Sequence, residues 1–206
     1  NTAVFNLRNH ASHVSHFQPQ QTPAAAGDKI SKSKIEHWQP YKYNSEVARS
    51  FSTLHANDSL RAVSRLISMG VEPYLLADAL ALSQAQRLVK RLCNYCKRPI
   101  PAPRKLQEYF YHNGIITAPM EEPIFEAQGC DECSGNGYLG RVALMEMCPV
   151  GANLAEMISS GEPMSNMRKE AAKLGVLSLY QEGMFQVVGG NTTMDEISKL
   201  AHFGAM

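Results

Sequence analysis

Four of the five cysteines stand in two C-x-x-C pairs, Cys93-x-x-Cys96 and Cys130-x-x-Cys133, with 33 residues between the pairs. No other feature limits the fold as strongly. A C-x-x-C turn sets two thiolates on one side of a knuckle, and two knuckles complete a tetrahedron of sulfurs at about 2.3 Å from a zinc ion. The N-terminus lacks the basic start, apolar block and small-residue cleavage site of an export signal. Paired C-x-x-C in such a chain reads as metal binding before disulfides. Lys97 and Arg98 follow Cys96 and favour its thiolate by nearby positive charge. The glycines of Ser134-Gly135-Asn136-Gly137 permit a tight backbone after Cys133. Four sulfurs leave no open position, so the predicted zinc is structural. It would contribute about 10–16 kcal/mol to a proline-rich insertion with little core of its own. Cys148 lies outside the pattern and reads as a plain buried thiol.

The remaining composition is ordinary for a globular chain. Of 206 residues, 44% are hydrophobic and 19% charged, which suffices for one domain or two small ones. The formal net charge of +1 gives no general attraction for polyanions. No apolar run approaches the roughly 18 residues that cross a bilayer. The default expectation is a soluble cytoplasmic protein. The chain opens with Asn1 rather than Met, which suggests a fragment or a processed chain.

The sequence divides into four segments. Residues 1–50 are rich in His, Gln, Ser and Pro, hold no lasting periodicity, and are expected to be mostly loop or disorder. His10, His13 and His16 recur every third residue there, with no carboxylate or cysteine beside them, and read as solvated side chains. Order is expected from Phe51, where Phe51–His55 reads as a strand end and Asn57 and Asp58 as turn or cap residues. Leu60, Val63, Leu66 and Ile67 predict a helix that stops at Gly70. A second helix is predicted from Glu72-Pro73 through Leu92, with Arg87, Lys90 and Arg91 suiting its far end. Segment 93–148 holds the cysteine pairs, a short helix over Lys105–His112, a tight turn at Asp131–Gly137 and a strand over Tyr138–Met147. Segment 149–206 is predicted to form three or four short helices. Their apolar stripes (Leu154, Met157, Ile158; Met164, Met167, Ala171, Leu174) read as core, and Ser178-x-x-Gln181 and Thr193-x-x-Glu196 as capping boxes.

Phe51-Ser52-Thr53-Leu54-His55-Ala56-Asn57-Asp58 is the most specific run. Ser, Thr and His together at a strand end offer three hydrogen-bonding side chains at the edge where open α/β sheets bind ligands. This run, followed by Ala62-Val63-Ser64-Arg65-Leu66 and Met69-Gly70-Val71, resembles the motor ATPases of type II secretion and type IV pilus assembly, the E-protein or PilB-like family. Gln86 to Cys93, both C-x-x-C knuckles and Gly137-Tyr138-Leu139-Gly140-Arg141 follow in that family's order. So do Met167-Arg168, Ala171, Gly175, Leu179, Glu182-Gly183 and Gly190-Asn191-Thr192-Thr193. The resemblance covers about residues 51–206.

It implies an α/β fold: the C-terminal part of a RecA-like P-loop ATPase core over 51–92, a tetracysteine zinc subdomain over 93–148 and a helical C-terminal region over 149–206. It implies a homo-hexamer that hydrolyses ATP with Mg²⁺ at the cytoplasmic face of the inner membrane. Its partners would be inner-membrane platform and cytoplasmic adaptor proteins, with no nucleic acid. By motif match, Thr53 and His55 inherit the γ-phosphate-sensing role of the family's histidine box, and Cys93, Cys96, Cys130 and Cys133 inherit the zinc. The departures from the family are equally informative. The 206 residues hold no G-x-x-x-x-G-K-[ST] phosphate loop, and no apolar run ending in an acid precedes Phe51. Val47-Ala48-Arg49-Ser50 stands where the family places Gly-His. A truncated, rearranged or frame-shifted product without phosphoryl-transfer activity of its own is the expectation.

Two other readings compete. The basic run Arg87, Lys90, Arg91, Lys97, Arg98, Arg104 and Lys105 beside the knuckle suggests a zinc-dependent nucleic-acid binder. Cys130-x-x-Cys133-Ser-Gly-Asn-Gly matches one repeat of the zinc region of DnaJ-type chaperones, which use four.

Overall fold

The computed structural model describes residues 2–8, 49–113, 116 and 120–204. His10, His13 and His16, and most of the expected irregular segment, lie outside the described residues. The described chain forms two compact units, each assembled from two stretches of sequence: 1–85 with 146–176, and 86–145 with 177–206.

The first unit holds strands β1 (Thr2–Arg8) and β2 (Arg49–Leu54), helices α1 (Ser59–Ser68) and α2 (Pro73–Ala79), and the beginning of β3 (Leu80–Leu92). It also holds the end of β6 (Tyr138–Pro149) and the helices α4 (Ala152–Ser159) and α5 (Met164–Lys173). The four-stranded sheet runs in the order β2-β1-β3-β6. β1 and β2 pair antiparallel, with Ala3 opposite Leu54 and Arg8 opposite Arg49. The expected irregularity before Phe51 is therefore corrected at Thr2–Arg8 and at Arg49. Ala3-Val4-Phe5 break the alternation of a half-buried strand, and β1 is held extended by its neighbours β2 and β3 in the sheet.

α1 begins and ends where its signals predict. Asp58 is its N-cap, with Oδ1 accepting the Arg61 N–H at 2.7 Å, and Gly70 takes a φ of 96° beyond its end. Leu60 and Val63 are fully buried, and Leu66 and Ile67 pack against the same core. That core adds Leu76, Leu80, Leu154, Ile158, Met167 and Ala171, with Met157 and Met164 against it. The methionine stripe is thus core. Leu174 departs from its stripe: it caps α5 and is exposed.

The second predicted helix is half wrong. Pro73 opens a helix of seven residues, and from Leu80 the chain is a thirteen-residue strand. Leu82, Leu88 and Leu92 fit helical spacing loosely, but Leu88 is 55% exposed, while Ser83, Ala85 and Val89 are buried at strand spacing. Leu, Ala, Gln, Arg and Lys favour a helix locally. β3 has a strand on each side in the sheet, and that long-range pairing overrides the local preference.

The second unit carries the rest of β3 and β6, the two-stranded sheet β4 (Arg98–Ile100) and β5 (Ile124–Glu126), and α3 (Arg104–His112). Its remaining helices are α6 (Leu179–Val188) and α7 (Met194–Gly204). α3, the β6 strand and the C-terminal helices lie where the sequence places them. The Ser178 capping box closes as predicted: Ser178 Oγ accepts the Gln181 N–H at 3.3 Å and Gln181 Oε1 accepts the Ser178 N–H at 2.9 Å. Thr193 accepts the Glu196 N–H at 3.3 Å. The Glu196 carboxylate accepts the backbone N–H of Lys90 at 3.2 Å and pairs with Lys199. Leu106, Phe110, Ile124, Met184, Val187 and Ile197 are buried in this unit. The α6–α7 turn is tied to β3: Leu92 N–H donates to the Asn191 carbonyl at 2.9 Å and Thr192 Oγ1 to the Lys90 carbonyl at 2.8 Å.

Candidate functional site

In the second unit the two C-x-x-C pairs meet. The sulfurs of Cys93, Cys96, Cys130 and Cys133 all lie within 4.8 Å of one another. Cys93–Cys130 are 3.9 Å apart, Cys96–Cys133 3.8 Å and Cys130–Cys133 3.8 Å. A tetrahedron with metal–sulfur bonds of about 2.3 Å has edges of about 3.8 Å, so the donor set fits one tetrahedral ion. No disulfide links these cysteines.

The backbone prepares the cluster for thiolates. Gly129 N–H points at Cys96 Sγ at 3.3 Å, while Cys130 and Gly137 N–H point at Cys133 Sγ at 3.3 and 3.2 Å. Burial pushes the Cys133 thiol up, but those two N–H groups and its thiol neighbours outweigh it and bring it down to about 7. Cys130 accepts from the Cys133 N–H, which lowers it, yet burial and its three thiol neighbours carry it up to about 12. Burial also raises Cys96. Cys133 is thus the thiol poised to ionise while Cys130 and Cys96 hold their protons, and a divalent cation binding here would displace them. The tight turn is real: Asp131–Cys133 is a 3₁₀ turn. Only glycine fits at two positions. A Cβ on Gly129 would lie 2.5 Å from the Gly135 carbonyl oxygen, and one on Gly137 2.6 Å from Ala127 Cβ.

In the first unit, Thr53 lies in β2 and His55 directly follows it, one on each side of buried Leu54 in sequence, and both are exposed. His55 lines an open cleft of about 550 Å³ with Asn57, Arg61, Ser64, Arg65 and Ser68. Thr53 is not among the lining residues. Arg61 and Arg65 stand one turn apart on α1, and no lining residue carries a carboxylate. Arg61 also approaches Asp58, with Nε 3.4 Å from Oδ2. The sequence reading missed both arginines, though their four-residue spacing on the polar face of a predicted helix was available. It also missed the partners of Asp58 and Ser59, which come from remote segments and leave no local signal: Arg168 and Glu146.

The basic run near the knuckle is largely engaged within its own unit. Arg98 pairs with Glu126 and Arg104 with Glu108 at 2.7 Å. Lys97 donates to the Gly190 carbonyl at 3.0 Å, Arg91 to the Leu139 carbonyl at 3.1 Å, and Lys90 lies over the Tyr138 ring. Arg98 and Arg104 nonetheless stay exposed, and what disfavours the nucleic-acid reading is the family match given below rather than these contacts. Among the described residues, no helix is long and apolar enough to cross a membrane.

A family model described as "Type II/IV secretion system protein" matches residues 48–199. The chain is 37% identical over 152 residues to a type IV pilus assembly ATPase PilB of Myxococcus xanthus, covering 71% of this chain and 26% of that protein. It is 33% identical over 176 residues to PilB of Thermus thermophilus, covering 82% and 19%. It is 34% identical over 151 residues to the type II secretion system ATPase E of Vibrio cholerae, covering 72% and 29%. The chain therefore spans 19% to 29% of the length of these relatives.

Proposed function

The chain belongs to the type II/IV secretion system protein family, and from that premise we propose that it serves as part of the ATP-driven motor of a secretion or pilus-assembly machine. In this reading the first unit is the C-terminal part of a RecA-like core. His55 faces the terminal phosphate of ATP bound with Mg²⁺, and Thr53, which does not line the cleft, takes its nucleotide-sensing role from the motif match. The observation that carries the reading is the cleft beside His55, whose lining presents two guanidinium groups and an imidazole and no carboxylate. Phosphate is the chemistry such a surface suits.

Thr53 and His55 can orient or sense a phosphate, but neither replaces the lysine, backbone cradle and metal that neutralise charge in phosphoryl transfer. The 206 residues contain no such lysine loop. The chain by itself is a motor segment without turnover, and hydrolysis belongs to a larger assembly. Family likeness supports a homo-hexamer on the cytoplasmic side of the inner membrane, with platform and adaptor proteins as partners.

The tetracysteine cluster is read as a structural zinc site. Zinc suits four thiolates at these separations, and a closed donor set has no position left for substrate. Bound zinc supplies cross-linking between the two knuckles; Cys93 and Cys96 anchor the end of β3, and Cys130 and Cys133 anchor the turn before β6.

The nucleotide reading is tested by titrating the purified chain with magnesium ATP while following the His55 imidazole by NMR and phosphate release by assay. A saturable shift of His55 with no phosphate release is expected. Magnesium-dependent release that His55→Ala abolishes would overturn the inactive-segment reading, and absence of any His55 response would overturn the phosphate-facing one.

A further inference from the structure

We propose that Glu146 and Arg168 are positioning residues that hold the His55–Ser59 turn in one conformation. Its consequence for nucleotide response rests on the reading of His55 given above; the clamp itself does not.

The chain leaves β2 after Leu54 and must enter α1 at Ser59, so only four residues, His55 to Asp58, make the change of direction. Irregular backbone of this kind loses conformational freedom at every residue when fixed. The last residue of the turn, Asp58, and the first of α1, Ser59, are gripped from three remote places. Arg168 Nη2 on α5 donates to Asp58 Oδ2 at 2.8 Å. Glu146 Oε1 on β6 accepts both the Ser59 N–H at 3.0 Å and the Ser59 hydroxyl at 2.5 Å. Ser83 Oγ on β3 donates to the Ser59 carbonyl at 2.8 Å. Every residue named belongs to the first unit.

The burial is what separates this from ordinary capping. Asp58 is 6% exposed, Ser59 and Ser83 0%, and Glu146 5%. Two carboxylates and two hydroxyls sit where apolar side chains would hold α1 against the core at lower desolvation cost. What the polar set adds is direction, because each bond ends on a particular atom. Asp58 caps α1 by accepting the Arg61 N–H, which a capping side chain can reach. The N–H of Ser59, the first helical residue, is beyond that reach, and Glu146 accepts it. Rotation and register of the helix start are therefore fixed by one acid inside the turn and one outside it. Arg168 in turn fixes the inner acid. His55 lies three residues before Asp58, and Asn57 and Arg61 on either side of Asp58 line the same cleft. Displacing the helix start would displace the cleft wall.

The test uses the full chain and the variants Glu146→Leu, Glu146→Gln and Arg168→Met. Amide hydrogen exchange is read without ligand at Asn57, Asp58 and Ser59, and at Leu154 and Ile158 as core controls. Glu146→Leu should speed exchange in the turn by about tenfold or more while leaving the controls within about twofold. Glu146→Gln keeps an acceptor oxygen toward Ser59 and should recover most of the protection. Arg168→Met acts through Asp58 and gives a second reading if Glu146→Leu fails to fold. Equal acceleration in turn and core would show a merely structural role and overturn the proposal, as would no acceleration in any variant. The ligand arm uses inorganic tripolyphosphate with the His55 imidazole observed. A shift in the unsubstituted chain that weakens in Glu146→Leu supports the proposal in full. No shift in the unsubstituted chain, together with the exchange effect, retains the clamp and removes the phosphate reading.

Discussion

The turn before α1 and the turn between Cys130 and Gly137 solve one problem by opposite means. Each must hold a few residues of irregular backbone that no strand or helix ladder fixes. The first is held by side chains from β3, β6 and α5 over an apolar core that includes Leu60, Val63, Leu154 and Ile158. The second has four sulfurs converging on a common point, with N–H groups of Gly129, Cys130 and Gly137 aimed at them. A turn of the first kind is as stable as the unit around it. A turn of the second kind is as stable as its ligand allows. The two units should therefore fail under different insults.

Metal removal is the strongest way to break that comparison. Chelation, or Cys133→Ser, should remove protection from amides 129–137 and from the Lys90–Leu92 end of β3. The α6–α7 turn, tied to β3 through Asn191, Thr192 and Glu196, should loosen with them. The binding free energy at stake is about 10–16 kcal/mol by the scale of small zinc-dependent domains. Amides of α4 in the first unit should keep their exchange rates. Parallel collapse of α4 would show that the contrast is false. Elemental analysis should give one zinc per chain before chelation.

The mirror experiment is Leu154→Ala. Leu154 is fully buried in the first unit's core. Its truncation should cost about 2–5 kcal/mol, read as a lower denaturant midpoint for α1 and α4 signals. Zinc content should stay at one per chain. Loss of metal in this variant would again contradict the separation.

How much of this was legible in the sequence follows from what each feature needs. The cysteine cluster was legible because each half of it is local: two C-x-x-C pairs announce themselves, and the turn after Cys133 carries its own glycines. The start of α1 was legible for the same reason, since Asp58 caps within three residues. β3 was not. Its residues from Leu80 to Leu92 favour a helix, and only neighbouring strands make them extended. The interleaving of the units, with β3 and β6 each contributing to both, has no sequence signature. Nor does Glu146, whose partner Ser59 lies 87 positions away. His55 stood out as a motif, whereas the cleft beside it needed α1 in place to bring Arg61 and Arg65 to one wall.

Alkaline pH sharpens the comparison from the first unit's side. Cys148 is fully buried. Burial, and then the Glu146 carboxylate, push its thiol from an ordinary value near 9.0 up to about 11, with a Ser59 contact pulling weakly the other way. The folded state thus holds this proton more tightly than the unfolded chain does. The stabilisation is complete below pH 9 and is lost as pH rises toward 11. Unfolding midpoints of the first unit should fall across that window, and Cys148→Ala should fall less steeply than the unsubstituted chain. Identical slopes would remove Cys148 from the account.

The smallest effect concerns the second unit and asks whether its turn depends on backbone preference or on metal. Ser134 takes a left-handed φ of 52°, alone among the described non-glycine residues. Its N–H donates to the Asp131 carbonyl at 3.1 Å, closing the 3₁₀ turn that carries Cys133. A side chain in that conformation costs roughly 1 kcal/mol. Glycine would relieve the cost but add freedom to the unfolded chain, worth about 0.4–1 kcal/mol in the other direction. Ser134→Gly should therefore change stability by no more than about 0.5 kcal/mol, and the chelator concentration that releases zinc by less than about threefold. If the turn is held by its ligand, that near-neutrality follows, because four sulfurs dictate the backbone whichever residue occupies position 134. A change of tenfold or more in zinc retention would mean that the knuckle is fixed by backbone preference as much as by metal, bringing it closer in kind to the turn at His55.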